Sequence, residues 1–149
     1  MDFVFEDRSS DSPFVESIWR TYINEGGSFI SLADIHWGMV VTKQHDKITL
    51  TVRGPETKAE LAPVPEYAEI YGIVFKLGTF MPHLPVSNLV DRELNLPEAV
   101  SKSFWLNGSV WQFPNFENID TFIDRLAHSG LLVYEPVIED ALQGQLKGV

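Results

Sequence analysis

The sequence predicts a mainly-β chain with C-terminal helices, an α+β arrangement in which the strands come first and the helices last. Three observations carry this. Residues 48–53, Ile-Thr-Leu-Thr-Val-Arg, alternate apolar and polar side chains strictly, the period of a strand with one buried face. Between residues 14 and 77, several further strand-like runs are separated by Gly and Pro turns, with no helical period among them. That pattern argues for a sandwich or a closed barrel. Near the C-terminus the period changes: Ile119, Phe122, Ile123 and Leu126 recur at helical spacing.

Taken in order, residues 1–12 read as an arm, an apolar Phe3-Val4-Phe5 followed by a polar run that Pro13 closes. Residues 14–23 are rich in aromatic and β-branched side chains and suit a strand, with Ile18, Arg20 and Tyr22 on one face and Trp19, Thr21 and Ile23 on the other. Gly26-Gly27 marks a turn before a short strand over residues 28–33. The central hairpin follows. Trp37, Met39 and Val41 share one face of its first strand, residues 43–47 form a polar turn, and Gly54-Pro55 ends the second strand. Pro63 and Pro65 make residues 60–65 an extended loop or an edge strand. Residues 68–77 form a strand apolar enough to be covered on both faces.

After Gly78 the pattern becomes irregular. Pro82, Pro85 and Pro97 interrupt residues 79–97, where Phe80, Leu84, Val86 and Leu89 are expected to cover one mouth of a barrel. Residues 102–113 hold Trp105 and Trp111 and show no clear period. A helix is expected from about Asn115, capped by Asn115 or Asn118 and ended by Gly130. A second is signalled by Glu135-Pro136, with Val137, Ile138, Ala141 and Leu142 on its buried side.

Composition narrows the function. A chain of 149 residues, 44% hydrophobic and 21% charged, is long enough for one domain with a real core. Eleven basic residues against 21 acidic ones, a formal charge of −10, argue against a grip on phosphate backbones. There is no cysteine, so disulfides, thiolate metal sites and a cysteine nucleophile are excluded, which suits a cytoplasmic setting. The acidic N-terminus does not read as a signal peptide, and no apolar run approaches the roughly 20 residues a membrane helix needs.

The four histidines, His36, His45, His83 and His128, show no i,i+2 or i,i+4 spacing, so no metal site is expected. No serine sits in a nucleophile-elbow motif, and no glycine-rich phosphate loop is present, so no catalytic set and no cofactor are expected. The aromatic residues on predicted strands fill the core or line a ligand cavity. The ligand-binding candidates are Trp19, His36, Trp37, Arg53 and Tyr71. Arg53 is placed to pair with an acidic ligand group, or else is a surface arginine beside Glu56; Arg20 has a similar standing.

Several passages carry a family resemblance: SPFVESIWRTY, HWGMVVTKQHDKITLTVRGPETKA and YGIVFKLGTFMPHLP, then WQFPNFENIDTFIDRLAHSGLL followed by EPVIEDALQG. Together they resemble the N-terminal domain of AraC-type bacterial transcriptional regulators, in particular a subgroup with a cupin-like N-terminal region. The resemblance implies a cupin-like, jelly-roll β-barrel sensor over residues 1–97, with its arm. It implies a helical dimerisation or linker segment over residues 98–149, packed on the barrel. A small-molecule effector and a homodimer are the implied partners, with Ile119, Phe122, Ile123 and Leu126 as dimerisation candidates. DNA contact would come through a C-terminal helix-turn-helix part, absent from these residues. The alternative is a small cupin-type metal-dependent enzyme, an isomerase or dioxygenase.

Overall fold

A computed structural model describes residues 3–136. Its strands are β1 (Phe3–Arg8), β2 (Val15–Ile23), β3 (Gly27–Ser31), β4 (Gly38–Gln44), β5 (Lys47–Arg53) and β6 (Glu60–Val64). Then come β7 (Ala68–Phe75), β8 (Thr79–Phe80), β9 (Glu93–Asn95), β10 (Ser103–Leu106), β11 (Ser109–Gln112) and β12 (Val133–Tyr134). A single 3-10 turn occupies Val86–Leu89, and one α-helix, α1 (Ile119–His128), lies among the described residues.

The expected central hairpin is β4 with β5, and its turn is tighter than the polar run suggested. Gln44 pairs with Lys47, so only His45 and Asp46 form the loop, both at positive φ, 50° and 62°. That is the backbone of a two-residue hairpin turn whose twist matches the strands, and His and Asp tolerate it better than most residues.

Around this hairpin a six-stranded antiparallel sheet assembles in the order β1-β2-β7-β4-β5-β9, with β1 and β9 at its edges. Three two-stranded ribbons complete the mainly-β architecture: β3 with β6, β10 with β11, and β8 with β12. Pro63 is tolerated within β6 because that strand pairs on one side alone.

The sheet's two faces differ as strand alternation dictates. Ile18, Met39, Val41, Leu50, Val52, Tyr71, Ile73 and Phe75 point to one side and are buried. Phe104, Leu106 and the α1 residues Ile119, Phe122, Ile123 and Leu126 close over them in one continuous core. Burying each such side chain contributes about 1.5–3 kcal/mol, so α1 is bound to the sheet rather than attached to it loosely. Leu89 belongs to the same core, and Leu84 and Val86 pack against it, so these three residues cover the core and not a barrel mouth.

Several expectations change here. The first strand of the sheet comes from the supposed arm, whose polar run as far as Arg8 pairs with β2. Residues 98–118 are not helical. Residues 103–112 form a hairpin about Asn107-Gly108, both at positive φ. Asn-Gly is the dipeptide such a turn selects, and two flanking strands of four residues are too short to show a period. Asn118 precedes α1, but its side chain makes no cap. Asn115 and Asn118 instead accept hydrogen bonds from each other's backbone N–H, each 2.8 Å long.

At the other end, Gly130 adopts φ 75°, its N–H bonds to Ala127 and the N–H of Leu131 reaches back to Leu126. This paired closure with a left-handed glycine ends the helix as expected. Of the expected second helix, Val137, Ile138, Ala141 and Leu142 lie outside the described residues.

Candidate functional site

The face of the sheet turned away from α1 is the mixed one. On it stand Trp19, Thr21 and Ile23 of β2, Ile70 of β7, Val40 and Thr42 of β4, and Thr51 and Arg53 of β5. The β3–β6 ribbon lies over this face, with Phe29, Ser31, Glu60, Ala62 and Val64 toward it. Between sheet and ribbon is a cleft of about 700 Å³, within the range of small-molecule sites.

Register sets the floor's geometry. Trp19, Gly72, Val40, Thr51 and Asn95 oppose one another across successive strands and form one row. Gly72 has to be glycine for the row to exist: a Cβ there would meet the Trp19 ring at 2.6 Å. The indole therefore lies flat across β7, and Phe5 of β1 stacks beside it at 6.1 Å and 11°. From Trp19 to Thr51 the row crosses three strand spacings, about 14 Å.

The far end of the cleft is polar. Gly54-Pro55 turns the chain at the end of β5 and brings Glu56 back onto Arg53, whose Nη2 donates to Oε1 at 2.8 Å. Ser31 Oγ donates to the other Glu56 oxygen at 2.8 Å, tying the ribbon to the sheet. The Glu56 backbone exchanges two hydrogen bonds with Asp34, at 2.8 and 2.9 Å. Arg53 Nε also pairs with Glu93 at 3.5 Å. Asp91 accepts from Thr57 N and Oγ1 at 2.7 and 2.6 Å, and these bonds hold its carboxyl below the usual carboxylate range. Thr51 Oγ1 donates to Asn95 at 2.6 Å.

Of the five ligand-binding candidates, the structure brings Trp19 and Arg53 to the cleft. The other three stand elsewhere. Trp37 is 5% exposed, stacks on Phe75 at 4.2 Å and donates its indole N–H to the Thr79 carbonyl. Tyr71 is fully buried on the core face and donates its hydroxyl to the Pro114 carbonyl; burial pushes its phenol far above the usual pKa. Both residues share strand parity with the apolar positions facing α1, so they build core.

His36 lies outside the cleft, with Nδ1 2.6 Å from Asp34 Oδ1. Arg20 is held by Glu6, Glu69 and Glu117 and lies over the Phe116 ring at 4.1 Å, a structural clasp beside α1. The dimerisation candidates Ile119, Phe122, Ile123 and Leu126 are 0–6% exposed and are spent within the single chain's own core. Residues missed by the sequence reading as cleft positions include Thr21, Phe29, Ile70 and Glu93, while Glu56 was named only as a surface neighbour of Arg53. The strand alternation that identified the apolar face also marks the opposite parity, Thr21 and Thr51 among it, and was the signal available.

Among the described residues, no group of three or more His, Asp or Glu is placed to hold a metal ion. No described helix is long and apolar enough to cross a membrane. Comparison with known proteins finds no matching family model, no matching curated protein and no matching solved structure.

Proposed function

We propose that this chain is the regulatory part of an AraC-type transcriptional regulator, a cytoplasmic, cupin-like module that binds a small molecule between its sheet and its β3–β6 ribbon. The cleft of about 700 Å³, with Trp19, Val40 and Ile70 on its mixed floor, carries the reading. The jelly-roll description belongs to the same proposal and draws on an antiparallel sheet faced by a shorter ribbon. A homodimer is part of it too, as is operator binding through a separate helix-turn-helix region. The alternative, a metal-dependent enzyme, requires converging ligands, and no observation favours it.

The sheet offers a route from cleft to helix. Phe5 lines the cleft on β1, and the same strand ends at Arg8, which donates to Asp120 in the first turn of α1 at 2.9 Å and to the Phe116 carbonyl at 2.8 Å. Ser10 donates to the same carboxylate at 2.5 Å. A ligand that fits the cleft better in one position of β1 than in another would bias this clasp by that difference in affinity and by no more.

A thermal-shift screen of small metabolites, followed by titration of tryptophan emission, tests the proposal. Stabilisation by at least one compound, lost in Trp19→Ala, is the expected result. Failure of every compound to shift either signal would leave the cleft without a sensing role.

A further inference from the structure

The cleft is not electrically neutral, and its polar end tells what head group it accepts. Two guanidiniums line it, Arg53 and Arg92, against four carboxylates, Glu56, Glu60, Asp91 and Glu93. Arg53 is already engaged by Glu56 at 2.8 Å and Glu93 at 3.5 Å. An anionic ligand at Arg53 would have to break those pairs, and at either arginine it would enter a site with a surplus of negative charge. A cation meets the surplus directly, and the Arg53–Glu56 pair can stay intact. Of the two expectations for Arg53, the place beside Glu56 is the one the structure shows, and the charge around it disfavours an acidic ligand group.

A second observation is independent of charge. Thr21 stands on the floor between Phe5 and Ile70, is 8% exposed, and its Oγ1 has no hydrogen-bond partner. Buried hydroxyls are ordinarily paired. Rotation about its Cα–Cβ bond exchanges Oγ1 with the methyl between staggered positions, so a ligand whose body lies on Trp19 has a hydrogen-bonding group beside it on the same strand. The apolar end supplies the third element: the Trp19 ring, backed by Phe5, flat over Gly72.

We infer that the cleft takes an elongated amphiphilic cation, with a flat apolar or aromatic body against Trp19 and a protonated amine or amidine at the Glu56–Glu93 end. The inference rests on the small-molecule reading above and specifies its ligand class. The distance between the two ends, about 14 Å along the row of strands, sets the ligand's length. Charge complementarity sets its orientation.

Three probes with one body test it: naphthylbutylamine, naphthylbutanol and naphthylbutyrate, titrated by isothermal calorimetry against the wild-type chain. The amine should bind about tenfold tighter than the alcohol, and the acid weakest, with the amine's advantage shrinking as salt rises. Glu93→Gln, on the exposed rim, and Glu60→Gln should each narrow the gap between amine and alcohol. Thr21→Val should weaken all three, with melting curves recorded to show that each variant folds. Equal binding of the three probes, or preference for the acid, overturns the cationic head group and leaves the cleft as a binding site. Binding of none of them, with no change in tryptophan emission, overturns this inference, while the metabolite screen above decides the sensing function.

Discussion

Replacing Gly72 by alanine probes the cleft floor at its most crowded point. The new Cβ would lie 2.6 Å from two carbons of the Trp19 indole and 2.8 Å from its nitrogen, where ordinary contact begins at 3.4 Å. The ring must lift from β7 by the difference, about 0.8 Å, into the space a ligand would use. Overpacking of this kind costs about 1–3 kcal/mol. Relief of glycine's unfolded-state freedom offsets about 0.5–1 kcal/mol of that, leaving a net loss of about 1 kcal/mol. In a Trp19→Ala background the three nearest contacts at position 72 are gone, so the same substitution should be neutral or stabilising. Urea unfolding of the four proteins, followed by far-ultraviolet circular dichroism, therefore yields a coupling energy of about 1–3 kcal/mol. A coupling of zero within error, with Gly72→Ala equally costly with and without Trp19, would refute the placement of the indole over the glycine.

Two further outcomes follow from the core and the clasp. Tyr71→Phe strands the Pro114 carbonyl without its buried donor and should cost about 1–3 kcal/mol. That is about 2–4 °C of melting temperature per kcal/mol for a chain of this size, with ligand affinity in the cleft unchanged. Acid should destabilise the protein in two stages. Burial holds His83 below its ordinary pKa, and both its ring nitrogens are buried without partners. The unfolded chain therefore takes up that proton first, and stability should fall as pH drops below about 6.5. Burial would raise the Asp120 carboxyl, but hydrogen bonds from Ser10 and Arg8 and the charge of Arg8 together hold it low. Its contribution is present above about pH 4 and is lost as pH falls from there through its lower folded-state value. A urea midpoint that stays flat from about pH 7 to pH 5, with the same result in His83→Gln, would contradict the first stage.

Legibility in the sequence tracked the length of each periodic run. Residues 48–53 alternate over a full strand, and both the central hairpin and its buried parity follow from them. α1 was readable from its apolar stripe and from Gly130, because helix closure is a local event. The β10–β11 hairpin was not, although Asn107-Gly108 marked its turn, since four-residue strands give a period too little room. The polar residues at the end of β1 look like a tail in isolation. They form a strand because β2 offers them a partner edge.

By itself the sequence determined the alternation of faces on each strand, the break at Gly54-Pro55 and the absence of thiol chemistry, all consequences of short-range covalent order and composition. Which face would be core and which would line a cleft was decided by what lay across from it. The α1 helix and the β10–β11 hairpin joined Tyr71 in one core, where Trp37 stacks on Phe75, while the β3–β6 ribbon left space above Trp19 and Arg53. Glu56 meets Arg53 across the local turn at Gly54-Pro55, a pairing the sequence offered, but Glu93 reaches Arg53 only because β9 pairs with β5. That second pairing, like the cover over each face, depends on segments far apart in the chain, and no local pattern of residues encodes it.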